Sequence, residues 1–516
     1  MVAQVVRALH ITTRTEVIRR FLLLREGEPC NELRRAESER ILRAQPFIAD
    51  ASVQAVANAD GSVDLVVRTA DEIAVVLSGS AMAGFPPVQA IRLGNANING
   101  MGMYGAANWR EGDAYRDAVG ARFIDNQLFG RPYRLVLDGQ RSTLGGEWIV
   151  EATHPFFTDI QRVAWRARWG GRTDYVGFPT DTTTSHSLPV PRSYFDVGGI
   201  VRIGPPGRLS LFGAAITGND DNPSRNPVLI TDSGLVADPG SELRNRYIPH
   251  RMMRANILWG VRDIGFIRVR GFDALNANQD LPVGFQLGAM FGRSLAVLGS
   301  RDDDIFVTED LYIGAGTERS AIRVQVQGEG RLDNTINRWN GILTSAHALQ
   351  YLKLSPGNTA TASVEWAGGW RQLIPFRLTL GGRDGVRGYG GSDAVGARRL
   401  IWRLEDRVYL GKPWGFGDFG VGAFADAGRL WSGDAPYGVD TGLRSSFGLS
   451  LLGAVPSGSA RMWRLDFAFA QDPLAGGPRF QVSFQGLDKT PFFLQEPPDV
   501  EVARERTVPS SVFRWP

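Results

Sequence analysis

Cysteine is all but missing from this chain. One of 516 residues is cysteine, Cys30, so no internal disulfide can staple the fold and no thiolate set can hold zinc. The five histidines, His10, His154, His186, His250 and His347, are scattered without metal-ligand spacing. No metal or other cofactor is expected. No stretch of about 18 apolar residues runs free of charge, which excludes a transmembrane helix. Lys/Arg runs are absent too, and a net charge of +3 is small for this length despite a pI near 9.1. Nothing favours nucleic acid as a partner. A G-x-S-x-G nucleophile elbow and a Ser/His/Asp grouping are both lacking, so no enzyme activity is assigned. Met1–Arg7 has no apolar h-region. The expectation is that a leader has been removed or that sequence before Met1 is missing.

What is present points to β-structure. The chain holds 62 Gly, 13 Trp and 27 Phe, with 43% hydrophobic residues, which is not a disordered composition. Its length exceeds one ordinary globular core unless the architecture is a large closed sheet. Abundant glycine and aromatics without a hydrophobic helix suit a transmembrane β-barrel. A large soluble β-protein would have the same composition.

Residues 4–70 read as a small α/β module. Gln4–Ile11 is a β-like opening. Thr13-Arg14-Thr15-Glu16 has the capping-box pattern, with Thr13 as N-cap. Val17, Ile18, Phe21 and Leu22 then recur at helical spacing. Asn31 can cap a second helix to about Arg43, whose apolar side is Leu33, Ala36, Ile41 and Leu42. Strands Ala51–Val56 and Val63–Arg68 follow, joined by the turn signal Asn58-Ala59-Asp60-Gly61. This β-α-α-β-β order resembles a POTRA (polypeptide-transport-associated) domain.

From Asp71 the period is two and stays two. Leu400, Trp402 and Leu404 oppose Arg399, Arg403 and Glu405; Trp463, Leu465, Phe467 and Phe469 oppose Arg464 and Asp466. A sandwich also alternates. The alternation persists without a helix to cover a sheet, however, and its apolar faces are rich in Trp, Phe and Leu. A closed barrel satisfies every backbone group in lipid and turns charges into the lumen. An Arg on the lipid side near mid-bilayer costs roughly 2–4 kcal/mol, and Arg403, Glu405 and Arg407 are partitioned away from Leu404 and Val408 accordingly. Asp406 breaks that partition and is placed near an interface. Gly411-Lys412-Pro413-Trp414-Gly415 is a short turn, whereas Gly171–Arg192, Thr217–Tyr247 and Ala367–Arg398 read as long loops. Leu93–Tyr104 and Ala121–Tyr133 echo one another as successive hairpins. The expected fold is a transmembrane antiparallel β-barrel over residues 71–486, with about 16 strands or about 18. Its last strand is Arg479–Gln485, with Phe480, Val482 and Phe484 facing out. Residues 487–516 read as a carboxy-terminal tail without alternation, placed in the periplasm.

Two motifs stand out. Leu378–Gly391 is a glycine-dense loop centred on Val386-Arg387-Gly388-Tyr389. Gly422–Gly428 puts Phe424, Asp426 and Gly428 on one side of a strand. An arginine fork suits a carboxylate and aromatic stacking, so Arg387 and Asp426 can pair if the loop folds back into a barrel. Val269-Arg270-Gly271-Phe272 has the same tetrapeptide pattern. It ends a strand run, has no comparable partner strand, and is read as coincidence. Asp302-Asp303-Asp304 lacks spaced ligands and is read as a solvated strand end.

Module, barrel, V-R-G-Y loop and F-x-D-x-G strand together resemble the BamA/TamA family of outer-membrane assembly proteins, the surface-antigen superfamily. The resemblance implies that Arg387 folds into the lumen and pairs with Asp426. It also implies a lateral gate between the first strand, near Ile73–Ser78, and the last, with Ile73, Val75, Phe480, Val482 and Phe484 at the seam. A single POTRA module and the tail depart from the family pattern.

The implied function is insertion or translocation of β-rich polypeptides at a bacterial outer membrane, with the POTRA domain in the periplasm and no cofactor. The POTRA strand edge would accept extended clients by β-augmentation. Expected partners are unfolded outer-membrane or secreted polypeptides, outer-membrane lipids, and periplasmic or lipoprotein partners. A two-partner secretion pore exporting a dedicated substrate shares the motifs and is the alternative. A membrane-anchored hydrolase would need its catalytic residues upstream of Met1, and a passive barrel would not need the module.

Overall fold

The computed structural model describes residues 11–82, 88–111, 117–180, 184–231, 233–381, 385–390, 394–413, 415–472, 477–487 and 496–504. In the amino-terminal module, helices Thr15–Arg20 and Glu32–Ala44 lie with the hairpin Ile48–Ala57/Val63–Asp71. Residues 4–10 of the expected opening strand fall outside the described residues. Val17, Phe21, Ile41, Leu42 and Phe47 form the module's core. Asn31 caps the second helix as expected, accepting from the Arg34 amide at 3.1 Å.

Two expectations for the module are corrected. The first helix begins after Arg14, not Thr13, and no side chain caps it. The Thr13 hydroxyl instead donates to Asp71 and accepts from Asn97, so long-range partners outcompete the local box. Leu33 and Ala36 face solvent, while Ser38, Glu39, Arg40 and Arg43 are buried beside Ile41 and Leu42. The buried face is partly charged because it docks against the barrel, which a search for apolar periodicity does not register.

The rest of the chain is one antiparallel sheet that returns on itself. Among the described residues twenty-two strands share it; two of them, Val228–Thr231 and Gly234–Ala237, form a hairpin hung on the start of Ser185–Ile203. The remaining twenty make the wall, which corrects the expectation of 16 or 18. A second expectation is corrected as well. Gly171–Arg192 is not a loop: strands Val163–Pro179 and Ser185–Ile203 pair through most of it, with Pro189 and Pro191 opposite Tyr175 and Thr173. Its Gly, Pro and Thr content masked strands that rise well beyond their neighbours.

Inside and outside are inverted relative to a water-soluble protein. Ile257 (70% exposed) and Leu404 (58%) lie on the outer face, whereas Arg254 and Arg262 are each 1% exposed within. An apolar exterior around a charged, filled lumen is what a bilayer-spanning barrel requires. Within the lumen Arg166 pairs with Asp196 at 2.5 Å, and Arg254 with Asp304 at 2.5 Å. The run Asp302–Asp304 is therefore engaged rather than simply solvated: Asp302 meets His250, and Asp303 meets Arg293 and Asn334. Asp406 lies opposite Ala360, two positions from the end of the strand Asn358–Trp370, in keeping with a place near the rim.

The module packs on one rim. There the wall turns are mostly short, as between Ile203 and Arg208 or Ser355 and Asn358; the long connections lie at the distal rim. The two echoing hairpins carry matching turns, Ile98–Gly100 and Leu128–Gly130, with left-handed Asn99 (φ 51°) and Phe129 (φ 56°). Both touch the module. The Arg14 amide donates to Gly100 O at 2.9 Å, and Gln127 Nε2 to Val17 O at 2.9 Å. On the other side Arg43 forks onto Asp280 (2.8 and 2.9 Å) and Arg268 reaches Glu39.

Glu39 is the hub of that second contact. Burial alone would raise its carboxyl, but the Val53 amide and the Arg43 and Arg268 guanidinium groups outweigh it and bring it down to about 2 from 4.5. A depressed carboxylate contributes stability that is present above its unfolded value and lost as pH falls through its folded one. Docking of the module should therefore hold above pH 4.5 and loosen between about 4.5 and 2, read as faster hydrogen exchange in Glu32–Ala44. Glu39→Gln should abolish that pH dependence; an unchanged profile would remove Glu39 from the contact.

Candidate functional site: a loop locked in the lumen

The site is built on two neighbouring strands, Arg398–Gly411 and Asp418–Trp431, whose register sets Arg403 opposite Asp426 and Glu405 opposite Phe424. Alternation along the second strand buries Phe424, Asp426 and Gly428 and exposes Ala423 and Ala425. The three motif residues thus share the lumen face, as their spacing predicts. From the distal rim the connection between Trp370 and Arg398 folds inward, and Val386 is fully buried. The Val386 amide bonds to Leu380 O at 2.8 Å, closing the turn that presents Arg387.

Arg387 occupies the centre. Its Nε and terminal nitrogen fork onto Asp426 at 2.7 and 2.6 Å, and its backbone amide donates to the same carboxylate at 3.2 Å. The remaining terminal nitrogen donates to Glu405 at 2.8 Å. The guanidinium lies 3.5 Å from the Phe424 ring centroid. Every motif residue has a place around it. Tyr389 reaches the carbonyls of Ser445 (3.0 Å) and Gln471, tying the loop to two more strands. Gly388 is left-handed (φ +89°), and a Cβ there would sit 3.0 Å from that of Ala470. A Cβ on Gly428 would fall 2.7 Å from Val386 and 2.8 Å from Leu380. The loop lies flat on the wall because that position has no side chain.

Two participants were not singled out from sequence. Glu405 bridges Arg387 and Arg464, and Arg464 also holds Asp466 at 2.9 Å. Both follow the inward alternation, which shows that they face the lumen but not which charges meet there. Glu405 belongs to a longer row on Arg398–Gly411. Arg403 donates to Gly385 O at 3.2 Å, and Arg407 lies 3.7 Å from Glu405 and donates to Phe272 O.

That last contact brings in the second V-R-G-F tetrapeptide. Arg270 stays exposed and bonds to Asn276 O at 3.1 Å, so the segment does not repeat the arginine lock. The residues after it do enter the lumen, from the proximal rim. Phe272 is fully buried and stacks on Tyr351 at 5.0 Å, while Gly271 O accepts from Lys353 and Thr359, both at 3.0 Å.

The seam differs from expectation. The first wall strand is Val75–Met82, so Ile73 precedes it, and Val75 pairs with Asn95 on the other side. Among the described residues the strand Gly477–Leu487 closes the sheet through the pairs Ser483↔Met82 and Phe484↔Ala81. Among the described residues Phe484 is the gate residue paired across the seam, and on their other side Phe480, Val482 and Phe484 pair with Phe469, Phe467 and Leu465. The stagger of the closing strands moves the contact to the far end of the first strand. The tail also departs from expectation: residues 496–504 lie inside the lumen, with Val500 fully buried.

An antiparallel barrel whose lumen holds an arginine-anchored, inward-folded loop is the class of structure these contacts define. No family model and no curated protein sequence matches the chain. Among solved structures it is similar to BamA from Haemophilus ducreyi lacking POTRA domains 1–3, at 13% identity over 92% of this chain and 82% of that one (TM-score 0.41). It is similar to CdiB from Acinetobacter baumannii at 13% identity, covering 92% and 71% (TM-score 0.43). CdiB from Escherichia coli matches at 12% identity, covering 92% and 74% (TM-score 0.45). At these similarities the functional reading rests on the geometry of the lumen itself.

Arg387→Ala takes from Asp426 its forked partner and from Glu405 one of its guanidinium contacts, and removing one partner of a buried pair costs about 3–5 kcal/mol. The cost should fall on the docked loop. New protease cleavage near residues 385–390 is expected, while the wall keeps the heat-resistant mobility of a folded barrel on gels. Arg387→Lys, which keeps charge but loses the fork, should lie between. Loop protection unchanged in the alanine variant would show that the lock does not hold the loop.

Proposed function

We propose that this chain is an outer-membrane factor of the kind its motifs resemble, inserting or translocating β-rich polypeptides in a bacterial outer membrane. The observation that carries the reading is the fork of Arg387 on Asp426. Two motifs chosen from sequence for their resemblance to the BamA/TamA family meet in the lumen with every motif residue in use. On this reading the amino-terminal module is a periplasmic POTRA domain that receives extended client strands, and lipid bathes the apolar outer face.

On this reading insertion acts at the seam. Gly477–Leu487 pairs along its length with Met462–Asp472, and among the described residues the pairs Ser483↔Met82 and Phe484↔Ala81 join it to the first strand. Parting the sheet there would expose two strand edges. The free strand edges would template a client by β-augmentation. The second reading, a pore exporting a dedicated substrate, is favoured by the occupied lumen: a conduit at rest needs closing, and the loop, the Phe272 turn and residues 496–504 all stand in its path. Periplasmic or lipoprotein partners would engage the module.

The test is reconstitution in liposomes with an unfolded outer-membrane barrel protein as client, scoring protease-protected insertion. Acceleration over empty liposomes is expected, and Arg387→Ala should lose it. No acceleration, together with export-type conductance, would replace insertion with the pore reading.

A further inference from the structure

A charged, proline-bearing tail has no physical reason to leave water for a lumen unless the wall is shaped to take it. Here the wall is complementary at each end of the segment and in the middle. Asp499 accepts from Arg399 at 2.6 and 3.2 Å and from the Thr379 amide at 3.3 Å. One residue on, Val500 joins the apolar cluster that includes Leu378, Leu380 and the V-R-G-Y residues Val386 and Tyr389. Arg504 donates to Glu329 at 3.3 Å and to Ser345 at 3.1 Å, and also pairs with Glu496 of its own segment. Arg192 donates to Val502 O at 3.1 Å.

The anchors Arg192, Glu329, Ser345 and Arg399 belong to four different strands, Ser185–Ile203, Ser320–Asp333, Arg338–Ser355 and Arg398–Gly411. The segment therefore reaches across the lumen and is not clipped to one strand. Its order alternates acid, apolar and base, and the wall answers with base, apolar and acid. The helix itself, Pro498–Ala503, is too short to persist alone in water, so its shape is imposed by the site. Ordering on docking lowers net affinity, whereas attachment to the barrel supplies a high effective concentration. Together these give a contact that is filled at rest and can still be released.

We propose that the barrel wall carries an internal peptide-binding site whose resident occupant is the chain's own segment 496–504, and that this segment must leave before another polypeptide can pass through the lumen. Because Asp499 and Val500 contact the base of the V-R-G-Y loop, departure of the segment also removes one support of that loop. The inference stands on the fold and its contacts, not on whether the client is inserted or exported.

The experiment compares single-channel conductance in planar bilayers of the full chain and a variant ending at Leu487. The truncated barrel should conduct more than the full chain. A synthetic peptide of residues 496–504 should block it saturably, and the same peptide with Asp499→Lys should not. Val500→Asp in the full chain, verified as folded by heat-resistant gel mobility, should raise conductance without truncation and so answers the question if the shortened chain fails to fold. Equal conductance of full chain and folded variants would overturn the proposal, as would a block that the Asp499→Lys peptide delivers equally well. Insertion activity in liposomes is read separately, so failure there leaves the conductance result standing on its own.

Discussion

The Arg387 guanidinium, held between Asp426 and Glu405 against the Phe424 ring, is the contact on which the interior depends. A barrel in lipid must spend its apolar side chains on the outside and turn its charges inward. Those charges sit where water is scarce, and each must find a partner or carry a large desolvation penalty. Arg387 resolves two wall carboxylates at once and brings a whole loop with it. Val386 and Leu380 then cover the bare backbone of Gly428, and Tyr389 reaches two further strands. Removing the arginine would leave Asp426 without its forked partner and the loop without its central anchor.

One strand links this lock to the other occupants of the lumen. On the inward face of Arg398–Gly411, Arg399 holds the carboxy-terminal segment, Arg403 and Glu405 hold the V-R-G-Y loop, and Arg407 holds the turn that carries Phe272. Loop, tail and turn come from different parts of the chain, the loop through the distal rim and the turn through the proximal one. Alternation at period two is what aligns these side chains along one wall. A shift of that strand would disturb all three contacts together, whereas loss of any single occupant leaves the row of charges in place.

The module's docking follows the same logic with different chemistry. Glu39 is buried because it answers three guanidinium groups, Arg35, Arg43 and Arg268, and the Val53 amide. The two echoing hairpin turns grip the opposite side through backbone hydrogen bonds. Phe157 adds an apolar contact, packing on the module's core beside Phe21.

Much of this was legible before any coordinates. Alternation in Arg398–Gly411 and Asp418–Trp431 separated outward-facing from lumen-facing residues, because side-chain period along a strand is a local property. The residue types of the V-R-G-Y and F-x-D-x-G motifs, a fork donor, a carboxylate, a ring and glycines, allowed a pairing, and it was the family resemblance that implied it. What local pattern could not supply was register between strands and the path of irregular segments. Glu405 became the third partner only because its strand lies beside Asp426, Thr13 left its helix for Asp71 and Asn97, and the Gly171–Arg192 strands outlasted their turn-like composition by pairing with each other. The tail shows the division most clearly. Its sequence alone determined that it cannot be a wall strand; only the closed barrel, by bringing strands as far apart in the chain as Ser185–Ile203 and Arg398–Gly411 around one space, decided that its acid, its valine and its arginine have somewhere to bind.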